Sequence, residues 1–273
     1  MSKLIIFDTE TTGLEKEDKI IQVGAIIVDL KDNTYSKKFD ELCSTQNAIA
    51  IKIEAMATHG IREEQIKDKP LFIETDFCKE LNLLNNEENY LIAHNLDFDL
   101  TMLKKEGFTN NLKCIDTLQC AKHLFEIGDE INGYKIPNYK LQTFRYIMFT
   151  QEEEDKEAHK YGVEIKAHDA IGDVVILKMF LRELYKEIKK QNHSQNSFAI
   201  MNKMVELTKT PIPPEKIKVS FGKHAGKSVK EIYQIDKGWL DWYESTQNPQ
   251  KDIVEALKQM KENNTNSNGM IDF

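Results

Sequence analysis

The chain has 273 residues, of which 40% are hydrophobic and 30% are charged, and its formal net charge is −8. This is the composition of an ordinary globular protein, and the negative charge argues against a protein that coats nucleic acid with a broadly basic surface. No apolar run approaches the ~18 residues of a membrane span, and neither a signal-peptide pattern nor a zinc or disulfide spacing among the cysteines is present, so we expect a cytoplasmic protein without membrane contact.

Predicted strands and helices alternate up to residue 125. Short apolar runs bounded by polar residues predict strands at residues 4–7, 19–30, 34–42, 90–95 and 113–118. Apolar stripes at helical spacing predict helices at residues 70–84 and 97–107, and from the fifth strand up to residue 125. Three strands in hairpin order followed by alternating helices and strands predict an α/β fold, with a mixed sheet flanked by helices.

The second half of the chain changes in composition. Residues 126–139 predict a loop, the acidic run at 152–157 predicts a solvated face, and residues 170–190 predict a long amphipathic helix. From residue 198 to 262 there are 11 Lys and 9 acidic residues, unlike the acidic remainder. We predict a main domain at 1–190, a polar linker at 191–197, a second, smaller α+β domain at 198–262, and a flexible tail at 263–273.

The first strand ends in two acids separated by one residue, within FDTETTG. Alternate side chains of a strand project to the same face, so Asp8 and Glu10 are expected to lie side by side. Neighbouring carboxylates repel one another and are costly to desolvate unless a cation lies between them. The motif alone leaves two interpretations open, a metal site and a solvated strand end.

A second acidic cluster follows the fourth strand, in AHNLDFDL. Asp97 is a suitable N-cap for the next helix, and Asp99 falls in its first turn, where a helix N-terminus favours a carboxylate. Capping alone would explain both residues, so this cluster by itself does not establish a catalytic site.

A third cluster, AHDAIGDVVIL, combines a histidine with two acids. His168 and Asp173 would lie ~140° apart on one continuous helix. They converge only if His168 precedes the helix and Asp173 occupies its first turn, with Asp169 as the N-cap. That arrangement would place an imidazole beside a fixed carboxylate, as a general base next to a metal requires. A purely structural histidine is the alternative.

Taken together, the three clusters resemble those of the DEDDh 3′–5′ exonucleases of the proofreading-exonuclease (ribonuclease-H-like) superfamily. Their motifs are matched by FDTETTGL, HNLDFD and HDAIGD over residues 2–190, whereas KLQTF at 140–144 departs from the usual HxLxxL. The resemblance implies a ribonuclease-H-like mixed sheet and two divalent metal ions, Mg²⁺ or Mn²⁺. It implies that Asp8 bridges both ions, that Glu10 and Asp173 hold the nucleophile-side ion, that Asp99 reaches the second through water, and that His168 deprotonates the attacking water.

The same resemblance assigns residues to the substrate. Leu14 would wedge against the terminal base, Phe98 would pack on a terminal nucleotide, the backbone near Thr11 would contact the 3′-OH, and His59 would lie near the sugar or base. Asn95 of the second motif is also assigned to substrate binding. For Leu14 and Phe98, plain core packing is the alternative interpretation.

The second domain resembles the small C-terminal module of exonuclease X-like proteins, through VSFGKHAGKSVKEI and WLDWYEST. Lys side chains near exposed aromatics suit phosphate contact and base stacking. We assign Lys223 and Lys227 to nucleic-acid binding, and we favour a core position for Trp239 and Trp242. The terminal NGMIDF resembles the sliding-clamp-binding hexapeptide of bacteria, and a terminus without a role is the alternative.

The main functional hypothesis is a metal-dependent 3′–5′ exodeoxyribonuclease that releases nucleoside monophosphates from single-stranded or frayed DNA ends in repair or replication. Three alternatives remain: a proofreading exonuclease similar to the polymerase III epsilon subunit, an exoribonuclease that trims RNA 3′ ends, and a non-catalytic nucleic-acid-binding adaptor. The intact set of four acids and His168 argues against the adaptor.

Overall fold

A five-stranded mixed sheet forms the centre of the molecule in the computed structural model, which describes residues 2–31, 34–46, 48–166, 168–192 and 196–268. Its strands are β1 (Lys3–Thr11), β2 (Ile20–Asp29), β3 (Tyr35–Leu42), β4 (Tyr90–Ala93) and β5 (Lys113–Asp116). Their order is β3-β2-β1-β4-β5. The β1–β2 and β2–β3 pairs are antiparallel, and the β1–β4 and β4–β5 pairs are parallel. The predicted mixed α/β fold is confirmed.

Helices cover both faces of this sheet. In chain order the helices of the described residues are α1 (Ile53–His59), α2 (Glu63–Ile66), α3 (Asp76–Leu83), α4 (Leu96–Lys105), α5 (Thr117–Leu124), α6 (Leu141–Met148), α7 (Gln151–Tyr161), α8 (Ala170–Asn192), α9 (Ser197–Lys209), α10 (Val229–Ile235), α11 (Lys237–Glu244) and α12 (Lys251–Asn268). None of them is both long and apolar enough to cross a bilayer.

Alternating side chains of β1 divide between two cores. Leu4 and Ile6 belong to the core that α5, α6, α8 and α9 complete, whereas Ile5 and Phe7 belong to the core that α3 and α4 complete. All ten residues of β2 are buried. A strand covered on both faces needs apolar residues at every position, which is why β2 reads as a continuous apolar run.

Three local predictions differ from the structure. The predicted loop at 126–139 contains a short hairpin of β6 (Glu130–Ile131) and β7 (Tyr134–Lys135). The sequence analysis did not identify α1 and α2. The acidic run at 152–157 is not wholly a solvated face, because Glu154 and Glu157 are buried and paired with cations. Opposite charges on neighbouring helices make that burial tolerable.

The predicted domain boundaries also differ from the packing. Helix α9, assigned to the second domain, contributes Ile200, Met201 and Met204 to the first core. Its Thr208 hydroxyl accepts a hydrogen bond from the Asp116 backbone N–H at 2.9 Å. The predicted linker overlaps the end of α8 and the start of α9, and α12 extends over residues 263–268 of the predicted tail. Residues 193–195 and 269–273 lie outside the described part of the chain.

The C-terminal unit has a small core of its own, which contains Ile217, Val219, Ile232, Leu240 and Leu257. Its described residues form α10, α11, α12 and a single isolated β-bridge between Lys218 and Ser228, rather than the strands of an α+β domain. Three ion pairs among the described residues join the unit to the main domain: Lys122–Asp252 at 2.5 Å, Lys251–Asp97 at 3.0 Å and Lys218–Glu126 at 3.8 Å.

Candidate active site

Three carboxylates converge at the end of β1. Asp8 and Glu10 lie on the same face of the strand, and oxygens of Asp8, Glu10 and Asp173 all lie within 4.8 Å of one another. This is the side-by-side arrangement that the alternation of a β-strand predicts. The three acids come from two elements, β1 and α8, so their convergence depends on how closely that helix approaches the sheet.

A glycine permits that close approach. Gly24 of β2 pairs with Asp8 in the antiparallel register, and a Cβ at Gly24 would lie 2.4 Å from backbone atoms of Ala170 and Ile171. Real Cβ atoms do not approach backbone so closely, so any larger residue would push the start of α8 away from the sheet. Gly24 therefore helps to set the position of Asp173 in the first turn of α8.

A fourth carboxylate, Asp99, lies beneath the cluster in the first turn of α4. Its side chain is buried, and the Thr9 hydroxyl donates to its Oδ1 at 2.7 Å. Asp97, predicted as the N-cap of this helix, does not have that role: Asn95 turns the chain with φ 71° and occupies the N-cap position. The N-cap therefore lies two residues earlier than predicted and the helix begins at Leu96, while Asp97 is exposed and pairs with Lys251.

Burial raises the pKa of every acid in this group, and repulsion from the other acids of the group adds to it for Asp8 and Glu10. Burial is the largest cause for each, and it raises the pKa of Asp8 well above its ordinary value, with the charges of Asp99, Glu10 and Asp173 adding to it. The pKa of Glu10 rises to about 8, that of Asp99 to about 7 and that of Asp173 to about 6.

Such a site suits a divalent metal ion. The donor atoms are carboxylate oxygens alone, which hard cations such as Mg²⁺ and Mn²⁺ prefer and which zinc sites seldom use. A cation between the carboxylates would remove the repulsion that raises their pKa values. The residues present therefore fit the metal that the motifs imply.

His168 lies where the sequence analysis placed it, in the loop before α8. Its backbone adopts the left-handed conformation with φ 58°, and its side chain is exposed. Its charge and a hydrogen bond from its backbone both oppose the rise in the pKa of Asp173. The imidazole thus lies beside the carboxylates without being buried among them, and it is free to contact a substrate.

Two cavities flank the carboxylates. One of about 360 Å³ is lined by Glu10 together with Thr11, Leu14, His59 and Phe98. The other, of about 620 Å³, is lined by Asp8, Asn95, Gln142, His168 and Asp173 among others. The structure therefore brings all the candidate substrate residues of the main domain around the acidic cluster.

Comparison with known proteins identifies the family. Residues 5–180 match the family model described as exonuclease, RNase_T. This chain belongs to the exonuclease family. The match confirms the resemblance to the DEDDh exonucleases and covers most of the main domain.

Two relatives and one solved structure illustrate the match. The exonuclease chain is 27% identical over 266 residues to the DNA polymerase III PolC-type of Caldanaerobacter subterraneus subsp. tengcongensis, covering 94% of this chain and 17% of that protein. It is 33% identical over 244 residues to the DNA polymerase III subunit epsilon of Rickettsia felis, covering 86% of this chain and 94% of that protein. E. coli exonuclease I in complex with a dT13 oligonucleotide has a TM-score of 0.54 at 16% identity, covering 71% of this chain and 43% of that one, which shows a shared fold.

The extent of these matches varies. The chain spans only 17% of the PolC-type polymerase, and it spans about half, 55%, of other epsilon subunits that it matches, such as that of Rickettsia typhi.

The substrate residues of the exonuclease domain differ in exposure. Leu14 is 83% exposed, so core packing does not explain it, whereas Phe98 is half-buried and packs against the core. The Thr11 hydroxyl donates to the Gly13 carbonyl at 2.8 Å. The Ile61 backbone N–H donates to His59 Nδ1 at 3.0 Å, which places the imidazole proton on Nε2. Nε2 is buried and has no hydrogen-bond partner among the described residues.

The predicted contacts of the C-terminal unit line neither of the two cavities. Lys223 pairs with Asp236 at 2.6 Å, and Lys227 is exposed. Trp239 packs against the core of the unit and stacks on Tyr243 with ring centroids 5.5 Å apart, as predicted, whereas Trp242 is 59% exposed.

The sequence analysis missed one contact of the acidic cluster. Gln142 Nε2 donates to Asp173 Oδ1 at 2.6 Å, and Arg145 Nη1 donates to Gln142 Oε1 at 3.3 Å. The only signal was that this segment, KLQTF, departs from the family pattern.

Proposed function

We propose that this protein is a divalent-metal-dependent 3′–5′ exodeoxyribonuclease that hydrolyses the terminal phosphodiester of single-stranded or frayed DNA. The convergence of Asp8, Glu10 and Asp173 within 4.8 Å, in a domain of the exonuclease family, carries the proposal. Phosphodiester hydrolysis develops negative charge on the phosphate and on the leaving oxygen, and a compact set of carboxylates is the means by which proteins hold the cations for that task.

The acids would hold two ions, Mg²⁺ or Mn²⁺, which when bound would neutralise the phosphate and lower the pKa of the attacking water. Asp8 lies centrally and is assigned to both ions, Glu10 and Asp173 to the nucleophile-side ion, and Asp99 to the second. The Thr9 hydroxyl donates to one oxygen of Asp99, which fixes its orientation toward the cluster.

His168 is assigned as the general base. Its side chain is exposed beside Asp173, so it can approach an attacking water and return the proton to solvent after each turnover. Its left-handed backbone conformation, uncommon for a residue with a Cβ, sets the direction in which the ring leaves the loop.

The smaller cavity is assigned to the 3′-terminal nucleotide. Leu14 and Phe98 offer apolar surface to a base, while the half-buried His59 imidazole lies against the Thr11 backbone at the wall of the same cavity. The cavity adjoins Glu10, so a nucleotide bound there would place its 5′ phosphate near the carboxylates. This supports cleavage from the 3′ end and assigns Thr11 to the 3′-OH.

The larger cavity is assigned to the nucleotides that precede the scissile phosphate. Asn95 is exposed there, and Lys122 and Lys140 line the same cavity. Lys140 is exposed and suits a phosphate oxygen of the strand that enters the site, whereas Lys122 already pairs with Asp252. Beyond the cavity, Lys223 and Lys227 of the C-terminal unit are proposed to contact DNA.

A proofreading role beside a replicative polymerase is the second candidate, and one observation favours it. The relatives named DNA polymerase III subunit epsilon include one that this chain matches over 94% of its length. In that role the terminal hexapeptide resembling a sliding-clamp motif would attach the enzyme at replicating DNA. Residues 269–273 lie outside the described part of the chain, so this contact rests on the sequence.

The free cysteines support residence in a reducing cytoplasm.

The test uses oligonucleotides of DNA and RNA labelled at either end, with Mg²⁺, Mn²⁺ or a chelator. We expect single nucleotides to be released from the 3′ end of DNA only when metal is present. Asp8→Asn should reduce turnover by orders of magnitude because the carboxylates act as a unit. Asp29→Asn, an acid at the far end of β2 paired with Lys3, is the matched control and should retain activity. Faster cleavage of RNA than of DNA would show that RNA is the substrate. Binding of nucleic acid without cleavage would support the non-catalytic adaptor.

A further inference from the structure

We propose that Gln142 is a positioning residue for Asp173, and that the buried Arg145–Glu154 pair locks its amide in one orientation. The inference rests on the proposed function, in which Asp173 holds a metal ion. Gln142 begins the first turn of α6, and Asp173 lies in the first turn of α8, so the contact joins two separate helices.

The hydrogen bonds fix which end of the amide faces the carboxylate. Gln142 Nε2 lies 2.6 Å from Asp173 Oδ1, and Gln142 Oε1 lies 3.3 Å from Arg145 Nη1. If the amide were flipped, its oxygen would face a carboxylate and its nitrogen would face a guanidinium. Neither of those contacts forms a hydrogen bond, so the neighbours permit a single orientation.

The arginine is itself held by two further hydrogen bonds. Arg145 Nε lies 2.9 Å from Glu154 Oε1, and Arg145 Nη2 lies 2.6 Å from Glu154 Oε2. Both side chains are buried. The bidentate pair orients the guanidinium in a fixed plane and leaves Nη1 directed at Gln142.

These contacts form one chain of hydrogen bonds. Arg145 donates to Glu154 and to Gln142, and Gln142 donates to Asp173. Both ends of the Gln142 amide are occupied, so the side chain is committed to the protein although it lines the larger cavity. With Oδ1 accepting from the amide, the Asp173 carboxylate cannot rotate freely, and its remaining lone pairs stay directed at Asp8 and Glu10. Hydrogen bonds of this kind to a metal-ligating carboxylate orient it and tune its affinity.

The charges near Asp173 agree with this role. Burial raises its pKa to about 6, and the nearby His168, Arg145 and Gln142 all oppose that rise. The pKa of Glu10 rises further, to about 8, because burial and the neighbouring acids all raise it.

The experiment measures Mn²⁺ binding to the full chain without DNA, from the electron paramagnetic resonance signal of the free ion. We expect Gln142→Met, which keeps the length of the side chain and removes the amide, to weaken Mn²⁺ binding about 10–100-fold. Gln151→Met is the matched control, since Gln151 also donates to a carboxylate, Asp155 at 2.8 Å, but on the exposed face of α7. It should bind Mn²⁺ as the wild type does.

A second variant covers the case in which Gln142→Met fails to fold. Arg145→Met/Glu154→Met removes the buried pair entirely, which is often tolerated better than removing one partner. Gln142 is then free to rotate, and Mn²⁺ binding should be measurably weaker than in the wild type. Wild-type affinity in either folded variant would overturn the inference. A wild-type protein that binds Mn²⁺ but does not cleave DNA would refute the proposed function and leave this inference standing.

Discussion

Removing one catalytic carboxylate should stabilise the metal-free protein, and the gain should appear only at high pH. Burial and the neighbouring acids raise the pKa of Glu10 from 4.5 to about 8. The folded protein therefore retains this proton up to about pH 8, whereas the unfolded chain releases it near pH 4.5. Because the folded state binds more protons across this interval, the free energy of unfolding falls as the pH rises through it.

The size of the effect follows from the same values. Each step of one in pKa corresponds to about 1.4 kcal/mol, which gives an upper limit of about 5 kcal/mol for ionising Glu10 in the folded state. Glu10 keeps part of its surface in water, and solvent screening reduces this to about 2 kcal/mol. For a chain of this size, that difference should raise the melting temperature of Glu10→Gln by about 4–8 °C over the wild type at pH 8.5.

Thermal unfolding with a chelator at pH 5 and pH 8.5 provides the assay. The two melting temperatures should differ only slightly at pH 5, just above the pH at which the unfolded chain releases this proton, and should separate widely at pH 8.5. Adding Mg²⁺ should raise the wild-type melting temperature more than that of the variant, because the ion binds the folded state. Equal melting temperatures at pH 8.5, or a difference of the same size at both pH values, would refute the reasoning.

Three further predictions concern the base, the sheet and the C-terminal unit. His168→Ala should retain Mn²⁺ and DNA binding while losing most hydrolysis, and a collapse of Mn²⁺ affinity in a titration would show that His168 is a ligand instead. Gly24→Ala should destabilise the fold by about 1–3 kcal/mol and reduce turnover, because α8 must move. Thermal unfolding measures this, with Gly238→Ala as the control, since a Cβ at Gly238 would meet nothing within 4 Å. Lys227→Ala should reduce the slope of log affinity against log salt for single-stranded DNA by about 0.7. Lys223→Ala should reduce the slope less, because Lys223 already pairs with Asp236. Equal slopes in the wild type and both variants would exclude a contact between these lysines and DNA.

The parts of the site that the sequence predicted are those fixed by local geometry. Asp8 and Glu10 lie side by side because every strand alternates its side chains. His168 lies in the loop before α8 and Asp173 lies in its first turn, because the helix begins between them. The N-cap assignment of Asp97 was wrong because the left-handed turn at Asn95 moves the N-cap by two residues, and no residue type requires that turn.

Contacts between elements that are distant in the chain could not be predicted from the sequence. An apolar stripe shows that α9 is amphipathic, but it does not show which of two cores the stripe covers. The contact from Gln142 to Asp173 crosses 31 positions of the chain. A glutamine on an amphipathic helix carries no signal for its partner. Similarly, nothing marks Gly24 as more than a glycine within a strand until the helix lying against it is known.

The ion pair between Lys251 and Asp97 ties the start of the last helix to the catalytic domain. Lys251 is the first residue of α12, and Asp97 precedes Phe98 at the smaller cavity, so this helix starts at the edge of the site. Ile253, Ala256 and Leu257 of the same helix pack in the core of the C-terminal unit. A displacement of that unit would therefore be transmitted through α12 to the segment that carries Phe98 and Asp99.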